Sequence, residues 1–179
     1  MTNNRRKQIN ELAETIRAEA GLITPLTLEQ LQNFVYELGG TLEYSELDED
    51  TDAIIVRNNN NNFNIRLNNL NNVSEERKKF TLCHELGHLF LHMNYLDEDA
   101  WNDSDNYEDT AYARNGYSEE EYDAHEFAAA LLMPKEEYKD IVKNNTENGI
   151  CNIYQVSIYF GVSLEAATNR GKWLGILKW

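Results

Sequence analysis

Apolar residues recur at helical spacing through most of the chain and alternate with polar ones in a single stretch. Ile9, Leu12, Ala13 and Ile16 mark one face of a helix over about residues 8–20, which Gly21 closes. After Pro25, Thr27 is placed to cap a second helix through Leu28, Leu31, Phe34, Val35 and Leu38, ended by Gly39 and Gly40. Period-two patterns over residues 41–45, 53–57 and 63–67 then predict three short strands. The asparagine run 58–62 between the last two suits a hairpin loop, because Asn tolerates positive φ. A small antiparallel sheet is the expectation.

Helical spacing returns with Leu82, Leu86, Leu89, Phe90 and Met93, on a helix that Ser74 can cap. Ser118, with Glu121 three residues on, has the pattern of a capping box and opens a helix through Asp123, Ala124, Phe127, Ala128, Leu131 and Leu132. Pro134 suits the first turn of a further helix over 135–142. Residues 152–174 read as helix, Gly161 turn, and a second helix capped by Ser163, an outline like a helix-turn-helix. The order predicts an α+β chain, with a main domain over residues 1–150 and a helical segment over 151–179 packed on it.

With 179 residues the chain is long enough to bury a real core. Its net charge of −15 argues against general nucleic-acid binding, and the tail offers only Arg170, Lys172 and Lys178 against Glu165. The acidity is concentrated: residues 97–123 hold eleven Asp and Glu against the single Arg114. That stretch reads as a long solvated loop or as a face for a basic partner. The basic N-terminus is followed by no apolar h-region, so no signal peptide is expected, and no run approaches the ~18 apolar residues of a membrane span. Two cysteines, Cys83 and Cys151, make no disulfide framework, which fits a reduced, cytoplasmic setting.

The chemistry is concentrated in His84-Glu85-Leu86-Gly87-His88. Two histidines four residues apart share one helix face and can clamp a divalent cation, while Glu85 is placed to take a proton from a water activated there. Gly87 costs a helix about 1 kcal/mol against Ala, so something must approach the backbone closely between the histidines. His92 extends the histidine face by a turn, ~6 Å along the axis, which suits support or packing better than ligation. Cys83 points to another face and reads as a small buried hydrophobe. An oxyanion donor is left open among Tyr95, Tyr107, Tyr112, Tyr117 and Tyr122.

A catalytic zinc keeps three protein ligands. On the Ser118 helix, Ala124, Ala128, Ala129 and Ala130 allow close packing, and a carboxylate beside them could reach the metal. Asp123 shares an inward stripe with Phe127 and Leu131, whereas Glu119, Glu120 and Glu121 read as cap and first-turn charges. His125 competes as an imidazole ligand, about 200° round the helix from Asp123.

The segment Arg77-x-x-Phe80-Thr81-Leu82-Cys83-His84-Glu85-Leu86-Gly87-His88-Leu89-Phe90-Leu91-His92, taken with the segment from Asp123 to Pro134, resembles the ImmA/IrrE family of zinc-dependent metallopeptidases over most of the chain. The resemblance implies a zincin-like fold, with zinc (or manganese) held by His84, His88 and Asp123 and with Glu85 as catalytic base. The family more often has Glu where this chain has Asp123. The resemblance also implies a protein substrate, a basic helix-turn-helix repressor of a phage, mobile element or stress regulon, cleaved inside bacterial cells. The alternative expectation is a non-catalytic binding or regulatory module stabilised by its metal.

Overall fold

The computed structural model describes residues 2–58, 62–69, 73–103 and 118–178. Helix α1 (Asn3–Glu19) starts well before its apolar face does, because the Thr2 hydroxyl accepts from the Arg5 amide and caps the polar first turn. Helix α2 (Leu28–Glu37) has the full reciprocal capping box between Thr27 and Gln30.

Strands β1 (Thr41–Ser45), β2 (Ala53–Arg57) and β3 (Phe63–Asn68) lie in the order β1-β3-β2. The β2 and β3 pair is antiparallel, as a hairpin must be, but β1 runs parallel to β3, so the sheet is mixed rather than antiparallel. The cause lies at the end of β3. The Asn68 side-chain Nδ2 donates to the carbonyls of Asp48 and Thr51 at 3.0 and 2.7 Å and gathers the β1–β2 loop across the sheet end. Strand β2 then leaves on the far side of β3 from β1. Residues 59–61 of the asparagine run lie outside the described residues.

Helix α3 (Glu75–Leu91) is capped by Ser74, whose hydroxyl accepts from the Arg77 amide. It runs through the middle of the molecule, with β2 and β3 on one side, α2 beside it and α5 (Glu119–Leu132) on the other. Leu82, Leu86 and Leu89 are fully buried there. The acidic stretch is not all loop, since α4 (Glu98–Asp103) forms within it and buries Trp101 against Tyr95. The remainder, 104–117, with Tyr107, Tyr112 and Tyr117, lies outside the described residues.

The close approach expected at Gly87 comes from α5. A Cβ on Gly87 would stand 3.0 Å from the Ala124 Cα and 3.1 Å from its carbonyl oxygen, so the two helices meet backbone to backbone. Helix α1 covers another face of α5. Helix α6 (Lys135–Asn144) leads through a two-residue hairpin, β4 (Thr146–Glu147) and β5 (Ile150–Cys151), whose Asn148 and Gly149 both take positive φ. Helices α7 (Ile153–Phe160) and α8 (Leu164–Trp173) follow, joined by a left-handed Gly161 and the Ser163 cap. Arg170 of α8 is buried, donating to Glu126 of α5 at 2.8 Å and to Asn10 of α1 at 2.7 Å. No described helix is long and apolar enough to cross a membrane.

Candidate metal centre

One helical turn separates His84 from His88, and their Nε2 atoms face each other at 3.1 Å. The carboxylate that meets them belongs to Glu121 of α5. Its Oε2 lies 3.3 Å from His84 Nε2, and its Oε1 lies 3.2 Å from His88 Nε2. Each carboxylate oxygen faces one imidazole, and these separations lie close to the roughly 3.3–3.6 Å between donors held at 2.0–2.2 Å in tetrahedral directions round one cation. Glu121 Oε1 is buried, and beyond its approach to His88 it has no hydrogen-bond partner among the described residues. A second set, His84, Glu121 and His125, has donors within 4.8 Å of one another. The His84, His88 and Glu121 contacts are at 3.1–3.3 Å.

Asp123, expected as the third ligand, is not brought to the histidine pair. Its Oδ2 accepts from Arg5 Nε of α1 at 2.7 Å. The inward stripe of Asp123, Phe127 and Leu131 is buried, but the carboxylate at its head turns to α1. On a helix Asp123 lies 200° round from Glu121, so one helix cannot send both to the same partner. The face of α5 toward α3 is marked instead by Glu121 and Ala124. Glu121 was hidden by its own cap: the Ser118 hydroxyl does accept from the Glu121 amide, yet the side chain never returns to complete the box.

Electrostatics set the protonation states that such a site needs. Burial pushes the His84 imidazole down to about 4, against an opposing hydrogen bond to the Glu121 carboxylate, so it is neutral near pH 7 with a lone pair to give. Burial alone would raise the Glu121 carboxyl, but its contacts with His84 and His88 outweigh that and hold it ionised. His92 is likewise held neutral by burial, at about 4, with Glu120 and Asp123 opposing the shift. Glu85 is buried at 5% exposure in the same turn of α3 as the two histidines. The exposed His125 packs its ring 4.5 Å from that of His84, and its Nδ1 donates to the Glu121 carbonyl at 2.8 Å.

Among the proposed oxyanion donors, Tyr95 is a core residue: its hydroxyl donates to the Leu38 carbonyl and its ring packs against Phe63 and Phe90. Tyr122 is exposed on α5. Cys83 is buried, and its thiol is pushed up to about 12 by desolvation, the inert hydrophobe expected.

A buried pair of histidines and a glutamate on two helices packed backbone to backbone defines a metalloprotein-like centre. The chain matches the peptidase M78 family model, described as the IrrE N-terminal-like domain, over residues 44–172, and it belongs to that family. It is similar to a solved Mycobacterium tuberculosis transcriptional regulator, at 17% identity and a TM-score of 0.63, over 92% of this chain and 46% of that one. The likeness is one of fold, and this chain spans about half the length of that protein. No curated protein matches the sequence.

Proposed function

We propose that the protein is a metal-dependent peptidase in which His84, His88 and Glu121 hold a divalent cation, zinc by the nature of the donors, and Glu85 is the catalytic base. The observation that carries the reading is the triangle of two imidazole nitrogens and a carboxylate at 3.1–3.3 Å. A cation bound there supplies Lewis acidity, polarising the scissile carbonyl and easing deprotonation of the attacking water. Glu85 takes that proton and returns it to the leaving amine. His84 and His88, presented from the buried α3, are held in place for ligation, and Glu121 offsets part of the positive charge. Manganese can be accepted by the same oxygen and nitrogen donors.

The substrate we propose is a protein, presented in extended form along an edge of the sheet, where β1 and β2 are the outer strands. The charge of −15 favours a basic partner such as a helix-turn-helix repressor, within the cytoplasm. Glu85→Gln, which keeps a neutral isostere, is expected to retain a full complement of zinc and to lose cleavage of a basic helix-turn-helix repressor, read by mass spectrometry of the products. Undiminished cleavage by that variant removes Glu85 from the role.

A second reading rests on His125. It offers a fourth protein donor beside His84 and Glu121, and four protein ligands make a closed, structural site rather than a catalytic one. Counting metal-bound imidazoles in the copper- or cobalt-substituted protein separates the two: two imidazoles support the peptidase, and three support the metal-stabilised module.

A further inference from the structure

His88 is completely buried, and both of its ring nitrogens are engaged. Nε2 faces His84 and Glu121, while Nδ1 stands 2.9 Å from the Nδ1 of His92. Two nitrogens at that distance share one proton. If the His88 Nε2 lone pair is to meet a cation, the proton of the neutral ring must sit on Nδ1, and His92 Nδ1 is then the acceptor. His84 has no equivalent: its Nδ1 is buried without a hydrogen-bond partner among the described residues.

The backbone makes the same connection. His92 is the C-cap of α3, and its amide donates to the His88 carbonyl at 2.9 Å, so residues 88 and 92 are linked through main chain and side chain alike. A ring nitrogen one bond from Cγ has the short reach that this contact at i, i+4 needs. The two rings lie 5.0 Å apart at 49°, which aims nitrogen at nitrogen rather than face at face.

We propose that His92 is a positioning residue, which accepts a hydrogen bond from His88 Nδ1 and so fixes the tautomer and rotation in which His88 Nε2 faces the site. The inference rests on the proposed metal reading and deepens it, since it assigns the orientation of one ligand to a residue outside the ligand set. Metal-binding histidines usually donate their second nitrogen to a carboxylate or carbonyl, and loss of such a partner costs about 10–100-fold in metal affinity. Here the partner is a second imidazole.

The test is zinc affinity by chelator competition, in wild type and in His92→Leu, His92→Asn and His92→Gln, with thermal melts of the metal-free proteins alongside. Asn places an acceptor oxygen near the Nδ1 position, whereas Gln places its polar end about one bond further out. The expected result is a loss of about 10–100-fold in His92→Leu and His92→Gln, with His92→Asn restored to near wild type and the metal-free melts alike. Should His92→Leu fail to fold, the contrast between Asn and Gln still decides. Equal affinity across the series, or equal loss in Asn and Gln, overturns the proposal. Wild-type protein that binds no zinc overturns the metal reading, and the proposal with it.

Discussion

At the scale of single residues, the site turns on where a side chain points once its backbone role is filled. Glu121 donates its amide to the Ser118 cap, as a first-turn residue should, and its carboxylate is left to reach across to α3. The titration of His84 reports the same environment. Its pKa in the fold is depressed from 6.5 to about 4, so as the pH falls the unfolded chain takes up a proton that the folded one resists. Glu121, also depressed, acts in the same direction and at lower pH. The metal-free protein should therefore be fully stabilised above pH 6.5 and lose stability steadily toward pH 4, by about 3 kcal/mol from His84 alone. Urea unfolding in the presence of a chelator at pH 7 and pH 4.5 measures this, and a stability that does not decline contradicts it.

At the scale of elements, the contact of α3 with α5 is what brings together the two parts of the proposed ligand set. Gly87 lets the Ala124 backbone come within about a side chain's radius, and Glu121 sits one turn up α5 on the same face. Gly87→Ala gains about 1 kcal/mol of helix propensity but overpacks this contact, at a typical cost of 1–3 kcal/mol. Its expected effect is a small net loss of stability together with weaker zinc binding, read by melting and chelator competition; unchanged affinity would show that the helix spacing does not govern the site. Much of this was legible in the residues. The caps at Thr27, Ser74, Ser118 and Ser163 all accept the amide three residues on, and the glycine at 87 announced a close neighbour. The sequence points to Asp123 because it is adjacent to Ala124 on the small face, whereas the structure places the Glu121 carboxylate beside the histidines. On a helix the true neighbour of Ala124 is three residues back, 60° away, while the residue before it is 100° away. The parallel β1 was illegible for a different reason: the turn that sends β2 across the sheet is organised by the Asn68 side chain, a long-range contact that no local pattern records. Likewise α4, with its buried Trp101, lies inside a run whose charge reads as a solvated loop or a face for a basic partner rather than as a helix packed on the core.

At the scale of the whole molecule, the helix that carries Glu121 is gripped from both ends of the chain. Asn10 of α1 and Arg170 of α8 both bond Glu126, five residues beyond Glu121, and Arg5 binds Asp123 between them in sequence. Arg170 is 2% exposed, so the pair with Glu126 is desolvated, and removing one partner leaves a buried charge. Glu126→Gln should destabilise the protein by about 3–5 kcal/mol, the range for a broken buried ion pair. Denaturant unfolding checks it, and a cost below about 1 kcal/mol, typical of a surface pair, would show that the tail is not held this way. In the proposed site Glu121 is the acidic ligand and Asp123 belongs to the scaffold. Metal content after equilibrium dialysis against zinc, in Glu121→Ala beside Asp123→Ala, tests it most directly. Glu121→Ala should lose most of its bound zinc while Asp123→Ala keeps close to one ion per chain; the reverse pattern would contradict the assignment.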